Sequence, residues 1–267
     1  MEPSLPYMEP SSCSICLEPI DISLSSTLKC NHTFHLSCIE EWKKVANTCP
    51  FCRAVNATVN NYIIEPGANL TRANLTDADL TRANLTRANL RDADLYESIL
   101  TDADLTGADL FGSDLTGANL IGAKLTAANL TRANLTGADL TGAILSKALL
   151  SSAVLKGADL PGTYLDYAIL TGTDLTLAIL TGADLTGADL YWANLTKANL
   201  SGANLTGANL IGANLTEANL SRANLTYANL TQANLTGANL TSAILTGAIL
   251  TGAILTRAIL TDTIGLN

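Results

Sequence analysis

The sequence predicts two unlike parts: a short α+β head held together by bound metal, and a much longer all-β solenoid. Three observations carry this. All six cysteines and both histidines fall between Cys13 and Cys52. From residue 70 to residue 260 every fifth residue is Leu, without exception over 39 positions. Aromatic residues make up only 4% of a chain that is 48% hydrophobic, because the apolar count is mostly Leu, Ala and Ile. A globular core draws on more Phe, Tyr and Trp, so this composition itself suggests a repeat.

The 267 residues suffice for one large domain or two ordinary ones. The apolar fraction is too high for a disordered chain. No run approaches the roughly 18 consecutive apolar residues of a membrane span, so no membrane partner is expected. Residues 1–12 hold Glu2, Glu9 and three prolines, with neither the basic nor the apolar region of a secretory signal, and are expected to lack fixed structure. The net charge is −9, divided as −3 over residues 1–65 and −6 over residues 66–267. Neither part is a basic surface, which argues against direct binding of nucleic acid through its phosphates.

The head, residues 13–53, reads Cys13-x-x-Cys16, Cys30-x-His32, His35-x-x-Cys38 and Cys49-x-x-Cys52. Zinc takes about four thiolate or imidazole ligands in a tetrahedron, and a C-x-x-C turn supplies two of them. Eight ligands therefore predict two zinc ions in closed, structural sites. The four pairs can combine sequentially or crosswise, and spacing alone does not decide which. A disulfide-rich secreted module would leave both histidines unexplained. A DNA-binding finger would need a recognition helix flanked by basic residues, which is absent. The segment 36–45 reads as a short helix that places Trp42 one turn beyond Cys38 and keeps Leu36 and Ile39 on its buried side.

The order Cys-Cys-Cys-His-His-Cys-Cys-Cys at these gaps resembles the RING finger in its two-histidine variant, with all eight ligand positions matched. The resemblance implies a cross-brace: Cys13, Cys16, His35 and Cys38 on one zinc, Cys30, His32, Cys49 and Cys52 on the other. It also implies a ubiquitin-protein ligase. In that family the conjugating enzyme docks in a groove built from positions that are Ile15, Trp42 and Pro50 here. A cation just after the last ligand, here Arg53, bridges ubiquitin and the conjugating enzyme; the planar fork of Arg suits a contact to two carbonyls. The plainer readings are that Ile15 and Trp42 pack around zinc and that Arg53 is solvated. With every cysteine assigned to zinc, none remains to carry ubiquitin covalently. No catalytic residue is expected, and transfer would proceed by positioning the charged conjugating enzyme. A domain with so little apolar core would take its folding energy from metal binding.

The body has a five-residue period. Two residues before each Leu the residue is Ala in 35 of 39 cases, the others being Ser98, Ser113, Thr163 and Thr173. Thr usually follows the Leu, and seventeen of the nineteen glycines lie two residues after it. Five residues turn an α-helix by about 500°, so the leucines would scatter around it. Alternation fits instead: Ala in, Asn or Asp out, Leu in, then a two-residue corner. A chain that turns every five residues and keeps Ala and Leu inside must coil.

This pattern resembles the pentapeptide-repeat family, written A-(N/D)-L-x-x. The resemblance implies a right-handed, quadrilateral β-helix over residues 67–264, four pentads to the coil, with residues twenty apart stacked on one face. At a strand spacing of roughly 4.8 Å, just under ten coils make a rod about 45–50 Å long. The many Asn-Leu-Thr triplets match a glycosylation signal, but the repeat itself accounts for them. Some members of the family imitate DNA. Here the outward aspartates (Asp79, Asp94, Asp104, Asp139, Asp159 and others) spread over all four faces with arginines between them, which disfavours that role.

Apolar residues at outward positions are better candidates for partner contacts: Ile144, Leu149 and Val154, then Tyr164 and Ile169 one coil later, with Tyr167, Leu177, Tyr191 and Trp192 nearby. The alternative is simple tolerance of strand-favouring residues. The last coil carries Ile244, Ile249, Ile254 and Ile259, one on each face, and an uncovered β-helix end is an exposed edge, so a homodimer through it is expected. Residues 54–66 form a connector in which Tyr62, Ile63 and Ile64 are expected to make a first strand that caps the rod. The preferred reading is a RING-type ubiquitin ligase in the cytoplasm or nucleus of a eukaryotic cell, or of a virus's host. Its partners would be a conjugating enzyme, ubiquitin and a substrate protein. The rivals are an inactive zinc-binding scaffold and a DNA-mimicking inhibitor.

Overall fold

The computed structural model describes residues 25–27, 33–35, 37, 38, 40, 58, 59 and 62–266. In the head, strand β1 (Ser25–Thr27) pairs antiparallel with β2 (Thr33–His35), and residues 37, 38 and 40 are helical. Strand β3 (Thr58–Val59) pairs antiparallel with β4 (Tyr62–Ile63). From Ala68 on, the described residues contain no extended strand. Each pentad gives one residue to a parallel ladder whose partner lies twenty residues further on, from Asn69↔Asn89 to Ile244↔Ile264. Four pentads complete a coil, so the chain builds a four-sided β-helix.

Where Asn or Asp holds the outward position, every backbone N–H of the pentad can find an acceptor, as residues 133–137 illustrate. The Ala133 N–H donates to the Leu130 carbonyl at 2.9 Å and closes a turn. Asn134 donates back to the preceding coil at Ser113 (2.9 Å), while Leu135 and Gly137 donate forward to Val154 (2.7 Å) and Lys156 (3.0 Å). The remaining N–H, that of Thr136, donates to Oδ1 of Asn134 at 3.2 Å. Asn or Asp is thus the outward residue for a local reason: its short side chain accepts from the N–H two residues on. Ladder bonds alone would leave that group unmet.

The second corner residue lies in the left-handed region, as the third position of a type II turn requires. Glycine fills it at many corners, but so do Arg72, Asp102, Lys147, Trp192 and others, at φ between 51° and 62°. No Val, Ile or Thr takes this conformation among the described residues, which follows from the clash a branched Cβ would make there.

Inside, Ala and Leu from Ala68 to Leu245 are buried in one continuous core. The bore admits one Leu and one Ala per side per coil, which is why it contains no aromatic ring. Where a small polar residue replaces Ala, its hydroxyl bonds a carbonyl: Ser113 to Leu110 at 2.8 Å, Thr163 to Leu140 at 2.9 Å, Thr173 to Leu150 at 2.8 Å. The buried Ser98 hydroxyl has no such partner among the described residues. The two ends of the rod differ. At the N-terminal end Val59 and Tyr62 of the β3–β4 hairpin pack on the core, Ile64 is fully buried, and the Tyr62 hydroxyl accepts from the Asn74 N–H at 3.3 Å. Tyr62 and Ile63 are therefore the second strand of a hairpin rather than a first strand, and Ile64 lies outside it. At the other end, Leu250, Leu255 and Leu260 are only partly buried.

Large corner residues use the glycine one coil further on. Trp192 lies over Gly212 so closely that a Cβ there would fall 2.8 Å from the indole, whereas a Cβ on Gly202 would meet nothing within 4 Å. Tyr167 over Gly187 and Tyr227 over Gly247 repeat the arrangement. Both Gly212 and Gly202 have φ near +66°. Replacing Gly202 by Ala is expected to cost about 1 kcal/mol of backbone strain. Gly212→Ala should cost roughly another 1 kcal/mol and push the indole into water. Denaturant unfolding and tryptophan emission compare the two; equal stability and an unshifted emission for Gly212→Ala would contradict the stacking.

Candidate functional site

Two of the predicted ligands, His35 and Cys38, lie among the head's described residues, three positions apart in the chain. Pairing of β1 with β2 sets Ser25 opposite His35, Ser26 opposite Phe34 and Thr27 opposite Thr33. His35 ends the strand, and Cys38 sits in the helical residues that follow. Both are half-buried, and Cys38 is not in a disulfide. The end of a strand and the helical residues after it carry an imidazole and a thiol three residues apart, outside the Leu–Ala core of the rod. This donor pair suits zinc, which takes neutral imidazole and thiolate. The other predicted ligands, Cys13, Cys16, Cys30, His32, Cys49 and Cys52, lie outside the described residues, as do Ile15, Trp42, Pro50 and Arg53. Among the described residues no three His, Cys, Asp or Glu gather as a metal site.

The rod surface is better filled in. Asn and Asp ladders bond coil to coil: the Asn134 amide donates to the Thr116 hydroxyl at 2.8 Å, and that of Asn219 to Asn199 at 3.1 Å. Isolated ion pairs join Arg91 to Asp109 (3.0 Å) and Lys197 to Glu217 (3.5 Å). The Arg91 guanidinium also covers the Phe111 ring at 4.3 Å. Outward aspartates occupy all four ladders, so no single face concentrates the charge.

The ladder pattern breaks in the middle of the rod. On one face the order is Lys124, Ile144, Tyr164, Asp184; on the next it is Asn129, Leu149, Ile169, Asp189. Tyr164 is 51% exposed and Tyr167, at the corner between these faces, 59%. Their apolar side chains give no acceptor to the N–H two residues on, so each gives up the local bond that Asn134 makes. Sequence reasoning found these residues. The packing of Tyr167 and Trp192 on glycines twenty residues later is visible only once the coil length is fixed.

Protein-family models match the chain in two places. Pentapeptide repeats match over 67–102, 103–142, 143–182, 183–222 and 223–262, and a Ring finger domain matches over 11–53. The chain is 42% identical over 67 residues to RING-H2 finger protein ATL52 of Arabidopsis thaliana, covering 24% of this chain and 18% of that protein. It is 38% identical over 52 residues to E3 ubiquitin-protein ligase SIRP1 of Oryza sativa subsp. japonica, covering 19% of this chain and 16% of that protein. The matched stretch thus spans less than a fifth of either relative. The rod is similar to the crystal structure of HetL, a pentapeptide repeat protein involved in heterocyst differentiation regulation in the cyanobacterium Nostoc. The TM-score is 0.73 and the identity 41%, over 74% of this chain and 89% of that one.

A RING finger implies bound zinc. Replacing Cys38 by Ser is expected to lower the zinc released on acid treatment of the purified chain and to leave the β-sheet circular dichroism of the rod unchanged. Undiminished zinc would remove Cys38 from the ligand set.

Proposed function

The chain belongs to the pentapeptide-repeat family and carries a RING finger at residues 11–53, and from that premise we propose that it is a RING-type ubiquitin-protein ligase. The match of residues 11–53 to a RING finger carries this reading, supported by relatives named as E3 ubiquitin-protein ligases over the same stretch. Cys13, Cys16, His35 and Cys38 would hold one zinc, and Cys30, His32, Cys49 and Cys52 a second. Bound metal supplies folding energy to a segment that has little apolar core. Ile15, Trp42 and Pro50 form the groove that receives the conjugating enzyme, and the Arg53 fork holds ubiquitin against it. With no free nucleophile in the head, ubiquitin passes directly from the conjugating enzyme to a substrate lysine. The chain lowers the barrier by fixing the orientation of the charged complex. The rod presents the substrate or spaces the head from it, and the setting is the cytoplasm or nucleus.

Ubiquitin transfer by the purified, zinc-loaded chain against a panel of conjugating enzymes tests this. Wild type should build chains, while Ile15→Ala and Arg53→Ala should each lower the rate by about tenfold or more. Failure with every conjugating enzyme, from a chain that holds zinc, would favour a scaffold role.

The coil of residues 247–266 has no further coil beyond it among the described residues, and Ile249, Ile254 and Ile259 are each about half exposed there. Pairing of two copies through this coil would cover these side chains and the ladder edge beneath them. Light scattering should then give twice the chain mass at micromolar concentration, and Ile254→Lys should halve it. A wild-type monomer under the same conditions would overturn the pairing.

A further inference from the structure

We infer that the interrupted ladders in mid-rod are a docking surface for an extended segment of the protein to be modified, apolar at its centre, acidic at one end and basic at the other. Two adjacent ladders and the corner between them supply the apolar floor: Ile144, Tyr164, Leu149, Ile169 and the corner residue Tyr167. Tyr227, elsewhere on the rod, stands against a single glycine of the next coil. Here the apolar side chains are consecutive along two adjacent faces. Tyr191 and Trp192 extend the surface at the next corner, their rings edge to face with centroids 6.2 Å apart. Exposed Tyr and Trp gathered around aliphatic side chains is the composition of an interface centre.

Local energetics argue against mere tolerance. Asn or Asp at positions 144, 149, 164 and 169 would each cap a backbone N–H, as Asn134 does for Thr136 and Asp189 does for Tyr191 (3.1 Å). The apolar residues forgo four such bonds within two coils and leave Tyr164 half exposed. The charges around the floor identify the occupant. Ahead of it stands Lys124, bridged to Ile144, and Lys147 is on the corner between Ile144 and Leu149, in the first coil of the floor. Behind it stand Asp184, bridged to Tyr164, and Asp189, bridged to Ile169. Asp166, which accepts from the Ser146 hydroxyl, lies beside Tyr167. Cations at one end and carboxylates at the other fit a segment of opposite polarity. Lys124 and Asp184 are three coils apart, about 14 Å at roughly 4.8 Å per coil, which an extended chain spans in about four residues. The carboxylate end would then receive a basic residue of the substrate.

The role as a substrate dock rests on the ligase reading above; the surface itself does not. A short fluorescein-labelled peptide with acidic residues, a Leu-Phe-Leu centre and basic residues in that order is the probe, and anisotropy with the full zinc-loaded chain is the readout. Tyr164→Asn with Ile169→Asn restores the ordinary repeat residue at both positions, so this double variant should fold with an unlowered melting temperature. It should bind the peptide about tenfold or more weakly, whereas Tyr227→Asn, elsewhere on the rod, should bind as wild type does. Asp184→Lys, which copies the Lys at position 124 of the same ladder, should shift the preference to a peptide acidic at both ends. Equal binding by wild type and the double variant would overturn the proposal, as would indifference to peptide charge. Adding conjugating enzyme and ubiquitin separates the two readings. Self-modification retained by the double variant, with loss of modification on the peptide lysines, supports docking. Peptide binding with no ubiquitin transfer by any form would overturn the substrate role and the ligase reading but leave the surface standing.

Discussion

The bond from a backbone N–H to the side chain of the residue two positions earlier sets the terms for the whole rod. A corner every five residues leaves one amide facing away from both neighbouring coils, and a buried or crowded amide without an acceptor is costly. Asn and Asp supply the acceptor from inside the same pentad, as Asn134 does for Thr136. Once that amide is met locally, the other four N–H groups are free to stitch turns and coils. The Leu and Ala positions can then be given over wholly to the core. Amide side chains left over from capping bond the next coil, so one residue type serves corner and ladder together.

The head follows a different logic. It has two short strands and a helical turn in its described part, and nothing comparable to the continuous Leu–Ala core of the rod. A segment of this kind reaches a defined fold through ligands rather than through buried area. One chain therefore joins a part stabilised by metal to a part stabilised by repetition. Chelation and heat should act on the two separately, because solenoid stability is summed over neighbouring repeats while a metal-held domain stands or falls with its ions.

Much of this is legible in the sequence, for identifiable reasons. The Leu period excludes a helix and fixes which residues face inward, and the buried residues from Leu70 to Leu245 follow it. Coil length is the step that makes the rest readable. It comes from a resemblance, and the ladder from Asn69↔Asn89 onward shows it directly. The sequence does not reveal that Arg72 or Trp192 adopts the same left-handed corner as glycine, because that depends on turn closure rather than on residue preference. Nor does it show Tyr167 lying on Gly187, a contact between residues twenty apart that depends on a side-chain rotamer. In the head, ligand chemistry is legible because His35 and Cys38 have few other reasons to stand three residues apart in so small a segment. Docking residues such as Trp42 carry no comparable chemical signature, since a large apolar side chain serves a core as readily as a groove.

The twenty-residue ladder also makes the rod an indexed scale. Adding or removing one pentad turns every later side chain by a quarter revolution. Adding or removing four moves them about 4.8 Å along the axis with their direction unchanged. The same surface residues can therefore be carried nearer to or further from the β3–β4 hairpin in whole-coil steps without repacking the core. Duplication of a coil adds one more set of neighbour contacts of the same kind and makes a discrete move in reach. A protein built this way can change the distance at which it holds something while keeping unaltered the face with which it holds it.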